Sequence, residues 1–373
     1  MRPGHAEIAG AGFAGLVAAI ALAERGWSVR VHEIGSELRA FGAGIFMWEN
    51  GARVLKAIGA YDTFLAGAHE ALVYETRHGD TLVAADAFSL ERRGTRMFTM
   101  TRQHLYASIL GVAQRVGIDF VTGSEAVGAD PDGVLMTADA ARHRADLVIG
   151  ADGVKSPVRQ SLGLLKERNA CADGIIRVLV PRDGLALGPG DWDRVIDFWH
   201  FGEPALRILY TPCSPGELYL AMMAPVRHDA ASIPVRTEIW MDAFPQLAPA
   251  IRRIGPEARY DAYETSKLTR WSFGRVAIIG DAAHAMVPTL GQGAGVAVMN
   301  ALALAVSLER ATGIEAGLAA WEAAARPLTE RTQERSDRAA RERHFAAGRG
   351  WSEENLLAAR SIPAGTEHVP RML

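Results

Sequence analysis

The residues best suited to chemistry lie close to the N-terminus, in a glycine-rich turn. Gly10, Gly12 and Gly15 have GxGxxG spacing, with a short apolar run before them and apolar helix formers after them. In such a turn the first glycine permits a tight bend, the second lets the backbone approach a pyrophosphate, and the third lets the helix pack on the strand. Glu33 follows Gly15 by 18 residues, where a carboxylate accepts hydrogen bonds from a ribose hydroxyl. The pattern predicts a dinucleotide site; the alternative is a glycine-rich turn between two core elements.

Two later stretches also place an aspartate beside glycines at the end of an apolar run. Gly150-Ala151-Asp152-Gly153 follows one such run, and Gly280-Asp281 follows another, with Pro288, Gly291 and Gly293 shortly after it. Each stretch alone is also typical of an ordinary turn that follows a strand.

The elements that must position these residues alternate between strands and helices. The sequence predicts a strand up to Ala9, a helix from Phe13 to Ala23 and a strand from Ser28 to Ile34. Thr101 is a suitable N-cap for a later helix that carries Arg102 in its first turn. A cation is unfavourable at that end of the helix dipole, so we expect Arg102 to have another role.

Two regions interrupt the alternation and predict a second lobe. Strands on either side of His78-Gly79-Asp80 indicate a hairpin, and residues 175–224 form β-type segments separated by Gly and Pro turns. The fold class is therefore α/β (α+β), with a Rossmann-like dinucleotide-binding domain and a mainly antiparallel β-sheet domain. We assign residues 1–71, 99–165 and 270–330 to the first domain and 72–98 and 166–269 to the second. Residues 331–373 are predicted to form a C-terminal helical segment.

Composition narrows the class of partner. The net charge is −3 with no long basic run, so no electrostatic footprint for nucleic acid is present and a small-molecule partner is expected. Cys171 and Cys213 lie far apart, outside any CxxC or Cys/His cluster, so we predict neither a disulfide framework nor a metal site. The cysteine usage fits a reducing cytoplasm. No run approaches the roughly 20 apolar residues that span a bilayer.

Read together, the three glycine stretches resemble the group A flavoprotein monooxygenases, which are the single-component aromatic hydroxylases. The resemblance implies a p-hydroxybenzoate hydroxylase-like fold and non-covalently bound FAD, with NADH or NADPH as co-substrate. It also implies that the helix after Gly291 points its N-terminus at the flavin, where it would stabilise negative charge. The implied FAD-binding residues are Gly10, Gly12, Phe13, Ala14, Gly15, Glu33, Ile34, Arg39, Gly44, Ile45, Arg102, Val127, Asp152, Gly153, Gly280, Asp281, Pro288, Gly291, Gly293 and Ala294.

A closer resemblance covers nearly the whole chain. The runs 37–45, 207–210, 217–220 and 259–261 are similar to those of family members that open a hydroxypyridine carboxylic acid ring in vitamin B6 degradation. The resemblance implies a substrate pocket formed by Phe46, Tyr74, Arg177, Arg207, Tyr219, Pro288 and Thr289, with Arg207, Tyr219 and Pro288 as the catalytic residues. Phe46 stands where those members have a tyrosine, and Thr289 where they have an alanine.

The resemblance implies oxygen transfer from a flavin C4a-hydroperoxide to a hydroxylated aromatic or pyridine carboxylic acid, with or without ring opening. A simple hydroxylase of the 6-hydroxynicotinate or salicylate type is the first alternative. A nicotinamide-dependent dehydrogenase that uses only the N-terminal motif and a flavin-binding sensor or carrier without turnover are the others. From the residues alone, the strand arginines are also consistent with solvated side chains, and the tyrosines with core packing. A homo-oligomer is compatible with the sequence.

Overall fold

The computed structural model describes residues 2–40 and 42–369. Phe41, which belongs to one of the runs that carry the closer resemblance, lies outside the described residues, as do Met1 and residues 370–373. The strands are β1 (His5–Ala9), β2 (Ser28–Glu33), β3 (Gly44–Trp48), β4 (His69–Glu70), β5 (Val73–His78), β6 (Thr81–Ala87), β7 (Met97–Thr101), β8 (Asp119–Thr122), β9 (Ala126–Asp130), β10 (Val134–Thr137), β11 (Arg142–Arg144), β12 (Leu147–Gly150), β13 (Leu165–Pro181), β14 (Val195–His200), β15 (Leu206–Pro212), β16 (Glu217–Pro225), β17 (Arg259–Leu268), β18 (Ser272–Phe273) and β19 (Val276–Ile278).

The helices include the one predicted from Phe13 to Ala23, with those bounds, and the one predicted after Thr101. They are α1 (Phe13–Ala23), α2 (Glu49–Ala57), α3 (Tyr61–Ala66), α4 (Leu90–Arg93), α5 (Arg102–Arg115), α6 (Pro157–Ser161), α7 (Thr237–Ala243), α8 (Ala248–Ile251), α9 (Asp281–His284), α10 (Gly293–Arg310) and α11 (Ile314–Arg341). The predicted N-cap of α5 is confirmed, because the Thr101 hydroxyl accepts a hydrogen bond from the backbone N–H of His104 at 3.1 Å. The hairpin at residues 78–80 is also confirmed, since β5 and β6 pair in antiparallel fashion around it.

A six-stranded sheet forms the base of the first lobe. Its strand order is β18-β19-β12-β1-β2-β8, and all its strands are parallel except β18. Helix α1 packs against α5 and α10. Its residues are apolar on all sides because nearly the whole helix is buried. The smaller sheets β11-β10-β9 and β3-β7-β4 complete the set within the described residues.

A seven-stranded sheet forms the second lobe, in the order β17-β13-β16-β15-β14-β5-β6. Its neighbours pair in antiparallel fashion except β14 and β5, which are parallel. One face packs against α7 and α8 through Trp240, Phe244 and Ile251. The other face turns toward the first lobe and carries the polar residues of the candidate site.

The C-terminal part of the chain joins the two lobes. Helix α11 runs without a break across position 330, where a domain boundary was predicted, and it ends at Arg341. From residue 342 to 369 the chain forms turns, so the helical part of the predicted segment 331–373 is limited to 331–341 among the described residues. Helix α10 is long and apolar enough to cross a membrane by length and composition, and 67% of it is buried inside the protein.

Candidate active site

The glycine turn between β1 and α1 is shaped to receive a phosphate group. A Cβ on Gly10 would lie 2.5 Å from the Ala151 carbonyl oxygen, and a Cβ on Gly15 would lie 2.0 Å from the Gly10 carbonyl oxygen. A Cβ on Gly12, by contrast, would meet no atom within 4 Å. Gly10 also has a φ of 98°, which glycine adopts without strain. The first and third glycines therefore permit close packing, while the second borders open space at the N-terminus of α1, where an anion is stabilised.

Glu33 lies at the carboxyl end of β2 and holds the loops beside that turn. Its two carboxylate oxygens accept hydrogen bonds from the backbone N–H groups of Ala11 and Gly35, each at 2.9 Å. Each oxygen retains a further lone pair for a ribose hydroxyl. The side chain predicted to bind ribose is thus fixed in position next to the glycine turn.

Arg102 supplies a positive charge that the described protein does not neutralise. Burial lowers its pKa, and the nearby charge of Arg177 lowers it further. No carboxylate lies within ion-pair distance of its guanidinium among residues 2–40 and 42–369, although the group stacks over the Phe13 ring at 5.1 Å. A half-buried cation with no carboxylate within ion-pair distance favours an anionic ligand, so this arginine fits a pyrophosphate.

The two Asp-Gly stretches end neighbouring strands of the same parallel sheet. Asp152 follows β12, and its Oδ2 accepts a hydrogen bond from Val158 N at 3.1 Å, whereas its buried Oδ1 has no partner. Burial raises the pKa of this carboxyl group. Asp281 follows β19 and is exposed. The carboxyl edge of a parallel sheet is where nucleotides bind in α/β folds, so both aspartates lie at the expected edge.

The start of α10 faces the same region. Its N-cap, Gln292, makes no side-chain capping bond, which leaves the first N–H groups of the helix, at Gly293 and Ala294, available to a ligand. The preceding turn contains Pro288, which is exposed, and Thr289, which is half-buried. The turn ends at Gly291, which has a φ of 58°. This geometry matches the predicted contact between a helix N-terminus and a reduced flavin ring.

The remaining predicted FAD residues are spread around this cleft. Gly44 and Ile45 lie on β3, and a Cβ on Gly44 would be 2.3 Å from the Tyr219 ring, so glycine is needed for that contact. Three of them are largely exposed: Ile34 at 65%, the Arg39 side chain at 67% and Val127 at 45%. They lie outside the buried part of the site, and their contacts with FAD remain predictions.

One face of the seven-stranded sheet collects the predicted substrate residues. Register pairs Arg177 with Ala221, Thr211 with Tyr219, and Trp199 with Arg207. Because side chains alternate along a strand, Arg177, Tyr219 and Arg207 all project from the same face. Tyr74 reaches this face from β5. The sheet thus brings together four residues that are far apart in sequence.

Arg207 is held in a buried ion pair that the sequence did not indicate. Its Nε and Nη2 donate to the two carboxylate oxygens of Asp197 at 2.5 and 3.0 Å, and Asp197 is fully buried. The Tyr74 hydroxyl donates to the same carboxylate at 3.0 Å. Burial alone would lower the arginine pKa, but the charge of Asp197 outweighs it and raises the pKa. The charge of Arg207 is therefore already compensated within the protein.

Arg177 and Tyr219 lie on the neighbouring strands β13 and β16. Arg177 Nε is 3.2 Å from Asp261 Oδ2, but the angle does not suit a hydrogen bond and this nitrogen has no other partner. Burial raises the pKa of Tyr219, while the charges of Arg177 and Arg102 act in the opposite direction. Tyr219 is thus a neutral phenol with cations close by, able to donate a hydrogen bond to an oxygen on a ligand.

Tyr263 belongs to this group of side chains, although sequence reasoning missed it. It lies on β17, its hydroxyl is buried without a hydrogen-bond partner, and burial raises its pKa. A buried unpaired hydroxyl costs about 1–3 kcal/mol unless a ligand or water satisfies it. No motif marked this residue, because Tyr260 and Tyr263 are equally plausible core tyrosines from their positions in the strand.

Aromatic rings form a wall next to Tyr74. Its ring lies 5.5 Å from those of Phe345 and Trp351, and Trp351 also packs against Trp48 at 5.0 Å. Phe46 packs at the edge of this cluster and contacts the region of Gly291, where an added Cβ would lie 3.1 Å from Phe46 Cβ. The C-terminal turns therefore close one side of the site with apolar surface, which the sequence did not reveal.

Comparisons with known proteins agree with this geometry. The FAD binding domain family matches residues 5–336. The chain is 42% identical over 332 residues to a putative 2-heptyl-3-hydroxy-4(1H)-quinolone synthase AqdB1 of Rhodococcus erythropolis, covering 88% of this chain and 86% of the relative. It is 31% identical over 359 residues to 3-amino-4-hydroxybenzoate 2-monooxygenase of Streptomyces cremeus, covering 91% and 88%. The tetrameric form of 2-methyl-3-hydroxypyridine-5-carboxylic acid oxygenase superposes with a TM-score of 0.93 at 46% identity, covering 97% and 98%.

The chain belongs to the FAD binding domain family and is a flavoprotein of the p-hydroxybenzoate hydroxylase-like fold. Within that family it is an FAD-dependent aromatic-ring monooxygenase that uses NAD(P)H. The predicted fold class and cofactor are thereby confirmed. The particular residues assigned to FAD and to substrate remain predictions, as do the domain boundaries.

Proposed function

We propose that the protein oxygenates a hydroxylated aromatic or pyridine carboxylic acid with NADH or NADPH and O2. The observation that carries this proposal is the single sheet face on which Tyr74, Arg177, Arg207 and Tyr219 converge. The structural similarity to 2-methyl-3-hydroxypyridine-5-carboxylic acid oxygenase supports it. Arg177, whose Nε lacks a hydrogen-bond partner, is the cation best placed to bind a carboxylate.

Bound FAD supplies the hydride acceptor and the oxygen activation, and the side chains bind and orient the ring. Arg102 and the N-terminus of α10 would hold the bound cofactor by favouring its negative charge. Tyr219 donates a hydrogen bond to the ring hydroxyl, and nearby cations favour the anionic, electron-rich form of that hydroxyl. Arg207 reaches the substrate only through the Asp197–Tyr74 cluster that it anchors. The aromatic wall excludes water, and Pro288 would border the bound cofactor.

The reaction ends either in ring opening, as in vitamin B6 degradation, or in hydroxylation of an intact ring. The substitution of Phe46 for a pocket tyrosine, with Thr289 in place of alanine, supports a substrate that differs at one substituent from the pyridine acid that the oxygenase acts on. A simple hydroxylase of the 6-hydroxynicotinate or salicylate type therefore stays the alternative within the acid class.

A second candidate substrate is a 4-quinolone without a carboxylate. The similarity to quinolone synthases at 42% and 38% identity supports it. The ion pair between Arg207 and Asp197 supports it as well, because a compensated arginine gains little from a substrate carboxylate. In this case the quinolone carbonyl would be the acceptor that Tyr219 and Arg177 bind, and the ring hydroxyl would be the group that the reaction adds.

A substrate screen separates these candidates. The FAD-loaded protein is mixed with pyridine acids, benzoic acids and 4-quinolones, and NADH and NADPH oxidation is followed together with product mass. Hydroxylation adds one oxygen atom, and ring opening adds two. Arg177→Met should weaken binding of an acid about tenfold to a hundredfold, since a charged hydrogen bond is worth roughly 1.5–3 kcal/mol. The matched control is Arg227→Met at an exposed position. If both variants lose the same affinity for the acid, or if Arg177→Met loses none, Arg177 does not bind the substrate.

The assembly and the location of the protein also belong to the proposal. A homo-oligomer is supported by the tetrameric form of the similar oxygenase, and light scattering of the purified protein tests it. A cytoplasmic location is supported by two free cysteines, Cys171 and Cys213.

A further inference from the structure

A group of metal-ligand side chains lies away from the flavin cleft, between the parallel sheet and the three-stranded sheet β9–β11. Glu7 on β1, His32 on β2 and His143 on β11 place one ligand atom each within 4.8 Å of one another. Glu7 and His32 project from the same face of the sheet, since Glu7 pairs with Arg30 and Ala9 with His32. The three residues lie in separate segments, so no metal-binding spacing appears in the sequence.

The hydrogen bonds in this group orient the rings as metal ligands are usually oriented. His32 Nδ1 contacts Ser124 Oγ at 2.8 Å, which leaves Nε2 directed at Glu7 Oε2, 2.7 Å away. His143 Nε2 contacts Thr137 Oγ1 at 3.2 Å. In metal sites a second partner of this kind fixes the ring and the tautomer of each histidine ligand.

The charge of the group also favours a cation. The Glu7 carboxylate is buried, and its oxygens lie 2.7 Å from His32 Nε2 and 2.9 Å from His5 Nε2. Arg30 lies 3.9 Å from Glu7 Oε1, yet its Nε donates to Asp119 at 2.6 Å. The buried carboxylate therefore has two imidazoles and only a distant, shared cation around it.

We propose that Glu7, His32 and His143 form a binding site for a divalent transition metal of the zinc class. Two imidazoles and a carboxylate are ligands that Zn²⁺, Co²⁺ and Ni²⁺ accept, and water can complete the coordination. Ligand atoms around a tetrahedral zinc ion lie roughly 3.4 Å apart, given bonds of about 2.0–2.2 Å. Side-chain rotations that move the ligand atoms by on the order of 1 Å reach that distance: His32 Nε2 and Glu7 Oε2, now 2.7 Å apart, must separate, and the wider distances, up to 4.8 Å, must shorten. His143 is half-buried and His5 is partly exposed, so a metal ion would enter the site from solvent on the side of these two residues.

The test uses the FAD-loaded protein without an affinity tag, stripped with a chelator and dialysed against equimolar ZnSO4. Zinc is measured by mass spectrometry, and its position by anomalous scattering at the zinc edge. We expect about one zinc per chain in the wild type and at least a hundredfold weaker binding in His143→Ala and His143→Gln, because loss of an outer hydrogen-bond partner alone costs 10–100-fold. His368→Ala, at an exposed histidine, is the matched control.

Flavin absorbance and circular dichroism verify that each variant is folded. A wild type that retains no zinc after dialysis would overturn the proposal, and so would equal zinc content in wild type and both His143 variants. An anomalous peak elsewhere on the chain would overturn it as well. None of these outcomes depends on the substrate that the flavin site accepts.

Discussion

Asp197 is expected to be the most costly single residue to neutralise on the substrate face. Asp197→Asn keeps the size of the side chain but leaves the guanidinium of Arg207 buried without its counter-charge, and Tyr74 loses its charged acceptor. Removing one partner of a buried ion pair typically costs about 3–5 kcal/mol in the free energy of unfolding. The other contacts of the Arg207 guanidinium are with neutral groups, the Tyr74 hydroxyl at 3.4 Å and Met223 Sδ at 3.2 Å, so they supply no replacement for the lost counter-charge.

The double variant Asp197→Leu with Arg207→Met separates charge from packing. Replacing both members of a buried pair by apolar side chains of similar volume is often neutral, so we expect the double variant to recover most of the stability lost by Asp197→Asn. It should still lose substrate binding, because Tyr74 is no longer held in place.

Urea unfolding of the FAD-loaded protein, followed by tryptophan and flavin fluorescence, measures both effects. The control is Asp191→Asn, which breaks an ion pair with Arg194 in which both side chains are exposed, at 55% and 37%. Such a pair contributes about 0–1 kcal/mol. If Asp197→Asn costs no more than Asp191→Asn, Arg207 is stabilised by water or relaxation, and the argument for a closed, compensated pair is wrong.

Three further predictions concern the cofactor, the substrate and pH. Asp281→Ala should purify without flavin colour, whereas Asp281→Asn should retain part of it; full flavin content in Asp281→Ala would show that FAD is held elsewhere. Phe46→Tyr should raise kcat/KM for 2-methyl-3-hydroxypyridine-5-carboxylate by restoring a hydrogen bond, and equal values in both proteins would contradict a role for position 46 in specificity. His284 is fully buried, which lowers its pKa to about 4. Between pH 6.5 and 4 the unfolded state binds the extra proton, so stability should rise with pH by about 3 kcal/mol across that window, and His284→Gln should remove this slope.

The glycine turn assigned to the cofactor could be predicted from the sequence because steric contacts require glycine at its first and third positions, whereas its contacts with FAD remain predictions. Gly10 and Gly15 are required by contacts of 2.5 and 2.0 Å that a Cβ would make, and such requirements leave a visible spacing in the sequence. The N-cap at Thr101 was predictable for a similar reason, since the hydroxyl bonds its own helix three residues away. Local geometry therefore carried this part of the prediction.

The substrate half depends on pairing between distant strands and could not be predicted in the same way. Asp193 and Asp197 lie four residues apart. Asp197 is buried and forms an ion pair with Arg207, whereas Asp193 is exposed. Which of them pairs inside depends on the register of β14 against β15, which the sequence does not reveal. The same holds for Tyr263 and for the cluster of Glu7, His32 and His143. The family resemblance pointed to Arg207 and Tyr219, whose roles in the site remain predictions, but it did not point to Asp197, which pairs with Arg207.

The order of strands in the two sheets constrains how a nascent chain folds on the ribosome. β1 and β2 are synthesised first, but their sheet gains β12 only at Leu147 and β19 only at Val276. Synthesis of β5 and β6 is finished at Ala87, but β14, the strand that pairs them with the rest of their sheet, begins only at Val195. The sheet of the first lobe therefore begins before that of the second and is completed after it, since β17 ends at Leu268 and β19 begins at Val276, unlike domains that fold in sequence during synthesis. Neither lobe can be excised as a contiguous fragment, and a chain stalled before residue 276 would display open strand edges in the parallel sheet that a chaperone has to cover.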